Sequence, residues 1–171
     1  MLFQKHTQVS LPRRMTFECP HNSGPAARVV MVDDADRVLY LRAREGAPGP
    51  TFWVMPGGGL ASRETFEQAA IREVYEETGR SIALEACLWT RRHVFVWLGR
   101  ELDQFEVFFL ARVAGPMRLG TKPDNYVDGH RWWSLAELEN SAEVFAPRSI
   151  ARLVAPVLRG EYPREPFDCG V

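Results

Sequence analysis

A run of glycines that leads directly into a helix limits what this chain can fold into. Pro56-Gly57-Gly58-Gly59-Leu60-Ala61-Ser62-Arg63-Glu64 opens as a turn, because consecutive glycines supply φ > 0 and let another backbone come close. From Thr65 to Thr78 there is neither Gly nor Pro. Gly79 is a natural left-handed stop, and Ser62 is the expected N-cap. Within that helix Phe66, Ala70, Glu73 and Glu77 share one row, at i, i+4, i+7 and i+11. The row begins apolar and ends acidic, with Glu76 beside it. Carboxylates crowded on a half-buried stripe repel one another unless protons, an arginine or a metal ion compensate them. The oxygen-preferring cations Mg²⁺ and Mn²⁺ suit such a cluster. The plain alternative is a solvated acidic helix face.

A chain of 171 residues, 46% of them hydrophobic, suits one domain with a proper core. Its formal net charge of −1 offers no general attraction to a duplex or to acidic lipid. Neither stable nucleic-acid binding nor membrane association is therefore expected. Cys19, Cys87 and Cys169 are widely spaced and form no C-x-x-C pair, which fits a reducing compartment better than a disulfide framework or zinc site. The first thirty residues mix charges and prolines without the apolar core of a signal peptide. No stretch is long and apolar enough to span a bilayer. The cytoplasm is the expected location.

Taken in order, residues 1–26 read as an N-terminal arm. A short strand at Phe3 to Val9 is one option within it, and a dimer or sheet-edge contact is a role for it. Ala27 to Val32 reads as a continuous apolar run, a strand covered on both faces. After a turn at Asp33 to Asp36, Val38 to Arg44 alternates, setting Leu39, Leu41 and Ala43 against Val38, Tyr40, Arg42 and Arg44. Arg42 and Arg44 point the same way, either to solvent or to phosphate. Phe52 to Met55 is a short apolar strand feeding the glycines. Ile82 to Leu98 reads as a long strand or bent pair, in which His93 alternates with Phe95 and Trp97 as a core or rim histidine.

Gly99 to Asp103 is the expected hairpin turn, and Phe105 to Val113 the return strand. On that strand Glu106 opposes the face of Phe105, Val107 and Phe109, at the rim or in a site. Gly115 to Gly129 is a turn-rich connection, and His130 to Trp133 a short strand. Ser134 and Glu137 form a capping box at the start of a short helix. Pro147-Arg148-Ser149 starts a last helix with an apolar stripe of Ile150, Leu153, Val154, Val157 and Leu158. Residues 27–160 are thus the expected domain and 161–171 a tail, in an α/β fold with a mixed sheet between helices.

Gly58, five residues, Glu64, seven residues, Arg72-Glu73, an aliphatic, one residue, Glu76-Glu77, one residue and Gly79 resembles the Nudix box. The likeness extends from about residue 27 to 158. It takes in the strand at Ala27, the strand ending in arginines, Trp53 before Pro56-Gly57-Gly58, and Arg131-Trp132-Trp133 ahead of a Leu-x-x-Leu helix. The resemblance implies a Nudix-type α/β/α sandwich with a mixed β-sheet. It also implies a metal-dependent hydrolase that cleaves the pyrophosphate bond of a nucleoside diphosphate linked to another moiety, with water attacking phosphorus. Glu73 and Glu77 would be the main Mg²⁺ or Mn²⁺ ligands, Glu76 a third ligand or base, and Gly58 would bring a backbone carbonyl to the metal. Arg72 would join this catalytic set, and Glu64 would pair with Arg72 and brace the turn.

The general base is left open among Glu76, Glu101, Glu106 and Asp128. Arg42, Arg44, Arg91 and Arg92 are candidates for phosphate contacts, and Trp53, Phe95 and Trp97 for stacking on a base. Arg80 stands where the box pattern carries an aliphatic, and Ile82 is expected to fill that apolar slot. The alternative function is a non-catalytic nucleotide-binding or sensor module on the same fold. A metal-dependent prenyl diphosphate isomerase needs a partnered cysteine that Cys87 does not supply. A small nucleotide derivative is the expected partner, with a homodimer as a further option.

Overall fold

The computed structural model describes residues 16–46, 48–115 and 126–170. The strand expected at Phe3 to Val9, and most of the connection Gly115 to Gly129, lie outside the described residues. The elements are β1 (Gly24–Val32), β2 (Val38–Arg44), β3 (Thr51–Val54), β4 (Gly57–Gly59), α1 (Phe66–Thr78), β5 (Ala86–Trp97), β6 (Arg100–Arg112), β7 (Val127–Trp133), α2 (Leu135–Asn140), β8 (Phe145–Ala146), α3 (Ile150–Leu158) and β9 (Phe167–Asp168). They build one mixed sheet in the order β8-β3-β2-β1-β6-β5-β9, with β4 added to β1 and β7 to β2. β1 and β6 run parallel at its centre, where Val29 pairs with Phe109, and β5 and β6 form a long antiparallel hairpin.

Alternation along the central strands sorts side chains onto two cores. On one face α1 sets Ala69, Ala70 and Val74 against Val29, Met31 and Phe109. On the other, Ile150, Val154 and Val157 of α3 and Leu138 of α2 pack on Val30, Tyr40 and Leu110. This is an α/β/α sandwich, as expected. Val74 is fully buried, and removing such a side chain from water contributes roughly 1.5–3 kcal/mol.

Four local expectations are corrected. The N-cap of α1 is Thr65, not Ser62: its hydroxyl accepts from the Gln68 N–H while the Gln68 side chain accepts from the Thr65 N–H. Ser62 lies too early, in a turn where Arg63 has φ of +63°. The strand expected from Ile82 begins at Ala86, because Ile82 and Leu84 pack into the α1-side core without entering the ladder. The hairpin turn is only Leu98-Gly99, both at positive φ as a two-residue type I′ turn requires, and Arg100 already belongs to β6. Finally, the three glycines form a short strand rather than a free turn.

Candidate active site

Strand β4 lies antiparallel on β1, with Ala27 opposite Gly58 and Arg28 opposite Gly57. Only glycine permits this at Gly57, whose φ is +136° and where a Cβ would fall 2.0 Å from the Ala27 carbonyl oxygen. From the other side α1 brings its carboxylates onto the same strand. The Gly57 N–H donates to Glu77 Oε2 at 2.9 Å, and Glu77 is only 4% exposed. A Cβ on Gly58 would sit 2.7 Å from the Glu73 carboxyl carbon, so that carboxylate packs where a side chain would otherwise stand. Along the row, Ala70 and Glu77 are buried and Phe66 and Glu73 half-buried, and Glu76 lies beside it, more open to solvent.

Arg72 is the cation among these acids. Its Nε and Nη2 donate to Glu64 at 2.8 and 2.9 Å, and Nη1 donates to Glu73 at 2.7 Å and to Glu76 at 3.3 Å. Nη2 also reaches the Gly59 carbonyl at 3.0 Å. Glu64 accepts in turn from the Ala61 N–H, which pins the loop between β4 and α1. The hydrogen bond from Arg72 holds the Glu64 carboxyl below its ordinary range. Among the described residues no three His, Cys, Asp or Glu side chains gather around one point, and Arg72 supplies the compensating charge here. The donor chemistry nevertheless fits a hard divalent cation. Glu73 and Glu77 bring carboxylates onto the glycine strand and Glu76 lies beside them, while the Gly57 and Gly59 carbonyls already accept from Arg28 and Arg72.

A cavity of about 540 Å³ opens on the sheet face opposite α1. Its walls are aromatic: Phe52 meets Trp97 edge-on at 5.9 Å, Trp97 meets Tyr126 at 5.4 Å, and His93 stacks on Phe95 at 4.8 Å. Burial, and then the neighbouring Arg91, push the His93 imidazole below its usual pKa. The deep end is charged. Glu106 Oε1 accepts from Arg28 Nε at 2.9 Å, and Oε2 accepts from both Nε and Nη2 of Arg91. Burial alone would raise the Glu106 carboxyl, but Arg28 and Arg91 outweigh it and hold it below the ordinary glutamate value. Arg28 Nη1 also donates to the Gly57 carbonyl at 2.8 Å, tying this end of the cavity to β4.

The structure sorts the expected substrate residues. Arg91 and Glu106 line the cavity together with Phe95 and Trp97. Arg42 and Arg44 do not: both are engaged by Asp128, and their hydrogen bonds hold that carboxyl low. Arg92 points to the other face and pairs with Asp103. Trp53 is a core residue, 7% exposed, with its Nε1 donating to Glu143 and its ring against Trp133. Arg80 donates to the Ala114 and Gly115 carbonyls, while Ile82 packs in the core as expected.

Arg28 was missed. It breaks the supposedly continuous apolar run of β1, and a lone cation inside an apolar central strand was the signal that could have found it. Phe52, Tyr126 and Arg148 also line the cavity, and nothing in their local sequence sets them apart.

The model of the NUDIX domain matches residues 22–153. Phosphatase NudJ of Escherichia coli (strain K12) is 30% identical over 141 residues, which cover 77% of this chain and 88% of that protein. RNA pyrophosphohydrolase of Stutzerimonas stutzeri is 31% identical over 126 residues, covering 64% of this chain and 76% of that protein. A nudix hydrolase of Caenorhabditis elegans is 29% identical over 122 residues, and that match spans only 31% of its length. In fold, the MutT protein from Methanosarcina mazei superposes with a TM-score of 0.62 at 19% identity, over 79% of this chain and 94% of that one. The glycine strand, the acidic helix face and the arginine between them are therefore the box of a family member, and the chain belongs to the Nudix hydrolases.

Proposed function

We propose that this enzyme hydrolyses a phosphoanhydride bond in a nucleoside diphosphate linked to another moiety, in a reaction that depends on Mg²⁺ or Mn²⁺. The observation that carries the reading is the joint placement of Glu73 and Glu77 on the glycine strand β4, with Arg72 bridging Glu64, Glu73 and Glu76. Glu73, Glu77 and the Gly58 carbonyl would hold the cation, with Glu76 as a third ligand or as the base. When bound, that cation supplies Lewis-acid charge to phosphate oxygens and lowers the pKa of the attacking water.

The chain's own residues do the rest. Arg72 and Glu64 fix the carboxylates, so their geometry is set before substrate arrives. For the proton, Glu76 is the best placed acceptor of the four candidates. Glu106 and Asp128 are each held ionised by two arginines and are poor bases, and Glu101 lies on the distal part of the β5–β6 hairpin. Arg42 and Arg44, engaged by Asp128, do not face the cavity. Arg91 stays with the substrate through the cavity, together with the aromatic walls, which suit a planar base.

The test is a panel of nucleoside diphosphate derivatives incubated with Mg²⁺, with Mn²⁺ and with EDTA, with the products identified. Release of a nucleoside monophosphate in both metal arms and none in the EDTA arm is expected. Undiminished turnover in EDTA, or none with any substrate, would contradict the proposal.

A further inference from the structure

The deep end of the aromatic cavity offers hydrogen-bond donors and almost no free acceptor. Glu106 is the carboxylate there, and it is 2% exposed with both oxygens consumed by Arg28 and Arg91. The two guanidiniums are not fully used. Arg91 donates through Nε and Nη2, and Arg28 through Nε and Nη1, which leaves Nη1 of Arg91 and Nη2 of Arg28 without a protein acceptor among the described residues. Arg91 is 5% exposed, lines the cavity and lies over the Phe108 ring at 5.7 Å. Guanidinium nitrogens donate and never accept, so a ligand edge that reaches them must accept. Gln104 on the same wall can present either end of its amide and does not discriminate.

Charge narrows the choice further. At this end two arginines face one glutamate, Glu77 lies close enough to Arg28 to offset part of what remains, and elsewhere on the lining Glu45 offsets Arg148. The site is therefore close to electrically balanced. Combined with aromatic walls, that favours a neutral planar acceptor over a second phosphate. From this we infer that Arg91, seconded by Arg28, makes the cavity selective for nucleobases that carry a ring carbonyl over those that carry an exocyclic amino group at the same position. This rests on the proposed reaction only for which end of the substrate fills the cavity. An amino group pushed against Arg91 would leave donors facing donors in a buried place, and such a mismatch is rejected far more strongly than a change in size. Each guanidinium has one donor nitrogen left, so a base edge receives a single hydrogen bond from each, and a discrimination of roughly tenfold is expected, at the low end of what a bidentate arginine contact gives.

The cleanest experiment changes the ligand and leaves the protein intact. Binding of inosine and adenosine 5′-diphosphates, and of uridine and cytidine 5′-diphosphates, is measured calorimetrically in EDTA, where turnover is not read. Within each pair a carbonyl replaces an amino group and the adjacent ring nitrogen gains a proton, so at that edge the carbonyl member accepts only through its oxygen and the amino member only through its ring nitrogen. The carbonyl member is expected to bind roughly tenfold or more tightly in both pairs. Inorganic pyrophosphate is expected to compete only weakly with it. Equal affinities, preference for the amino members, absence of binding by all four, or full competition by pyrophosphate would overturn the inference. Arg91→Lys keeps a positive charge beside Glu106 and removes the fork, so it is expected to bring the two members of each pair within about threefold. An unchanged preference in a folded Arg91→Lys protein would also count against it. Selective binding without hydrolysis in the metal arms would refute the proposed reaction and leave this inference standing, so the two failures are distinguishable.

Discussion

Glu106→Gln removes one negative charge and no volume from the deep end of the cavity. Side-chain exposure there is 2% for Glu106, 5% for Arg91 and 15% for Arg28, so solvent screens these charges little. In the native protein one carboxylate satisfies two guanidiniums. The amide that replaces it can accept through one oxygen only, and it turns an N–H₂ toward the other arginine. Breaking a buried ion pair from one side costs about 3–5 kcal/mol, mostly because the abandoned charge stays buried. For a domain of this size that lowers Tm by roughly 6–20 °C. Urea unfolding followed by circular dichroism reads it directly, as a drop in midpoint at constant m-value. A matched variant in which Arg28→Met, Glu106→Leu and Arg91→Met remove the whole cluster is expected to fold with near-native stability, since an apolar replacement spares the desolvation cost. A loss below about 1 kcal/mol in Glu106→Gln would refute the reading of this cluster as one interdependent unit.

Gly58→Ala places a methyl group where the Glu73 carboxylate now packs, and is expected to weaken Mn²⁺ affinity roughly ten- to a hundredfold, measured by titration of the folded protein. Thr65→Ala removes the N-cap of α1 and is expected to cost about 1 kcal/mol in denaturant, whereas Ser62→Ala leaves the midpoint unchanged. Acid titration gives a third check. The folded Glu106 carboxyl lies below its unfolded value of about 4.3, so its contribution is complete above that pH and is lost as pH falls through the depressed folded value. Glu106→Gln is expected to flatten the pH dependence of stability in that acid window.

The helix and its acidic row were readable because 3.6-residue periodicity alone puts Phe66, Ala70, Glu73 and Glu77 on one face. The strand alternation that sorts Val107 and Phe109 from Glu106 and Phe108 was readable for the same kind of reason. What sequence withheld was pairing at long range. Nothing local says that Arg42 and Arg44 meet Asp128, more than eighty positions away, or that Glu106 is reached by Arg28 across the β1–β6 ladder. Trp53 is a plausible stacking residue by type. Its burial against Trp133 depends on β2 lying between β3 and β7, which no periodicity reveals. The misplaced N-cap has a smaller cause: Ser62 and Thr65 are both good caps by type, and the Thr65-x-x-Gln68 capping box, which Ser62 lacks, decides between them.

In the proposed reaction the Glu77 carboxylate, seated on the Gly57 N–H, is part of a metal-dependent hydrolytic centre. Glu77→Gln keeps an acceptor for that N–H and removes the charge, so the fold should survive and the chemistry should not. Steady-state kinetics on the best substrate of the panel in saturating Mg²⁺ is the direct measurement. The expected result is a kcat reduced by roughly a hundredfold or more with Tm close to that of the wild type. A folded Glu77→Gln protein with unchanged kcat would contradict it.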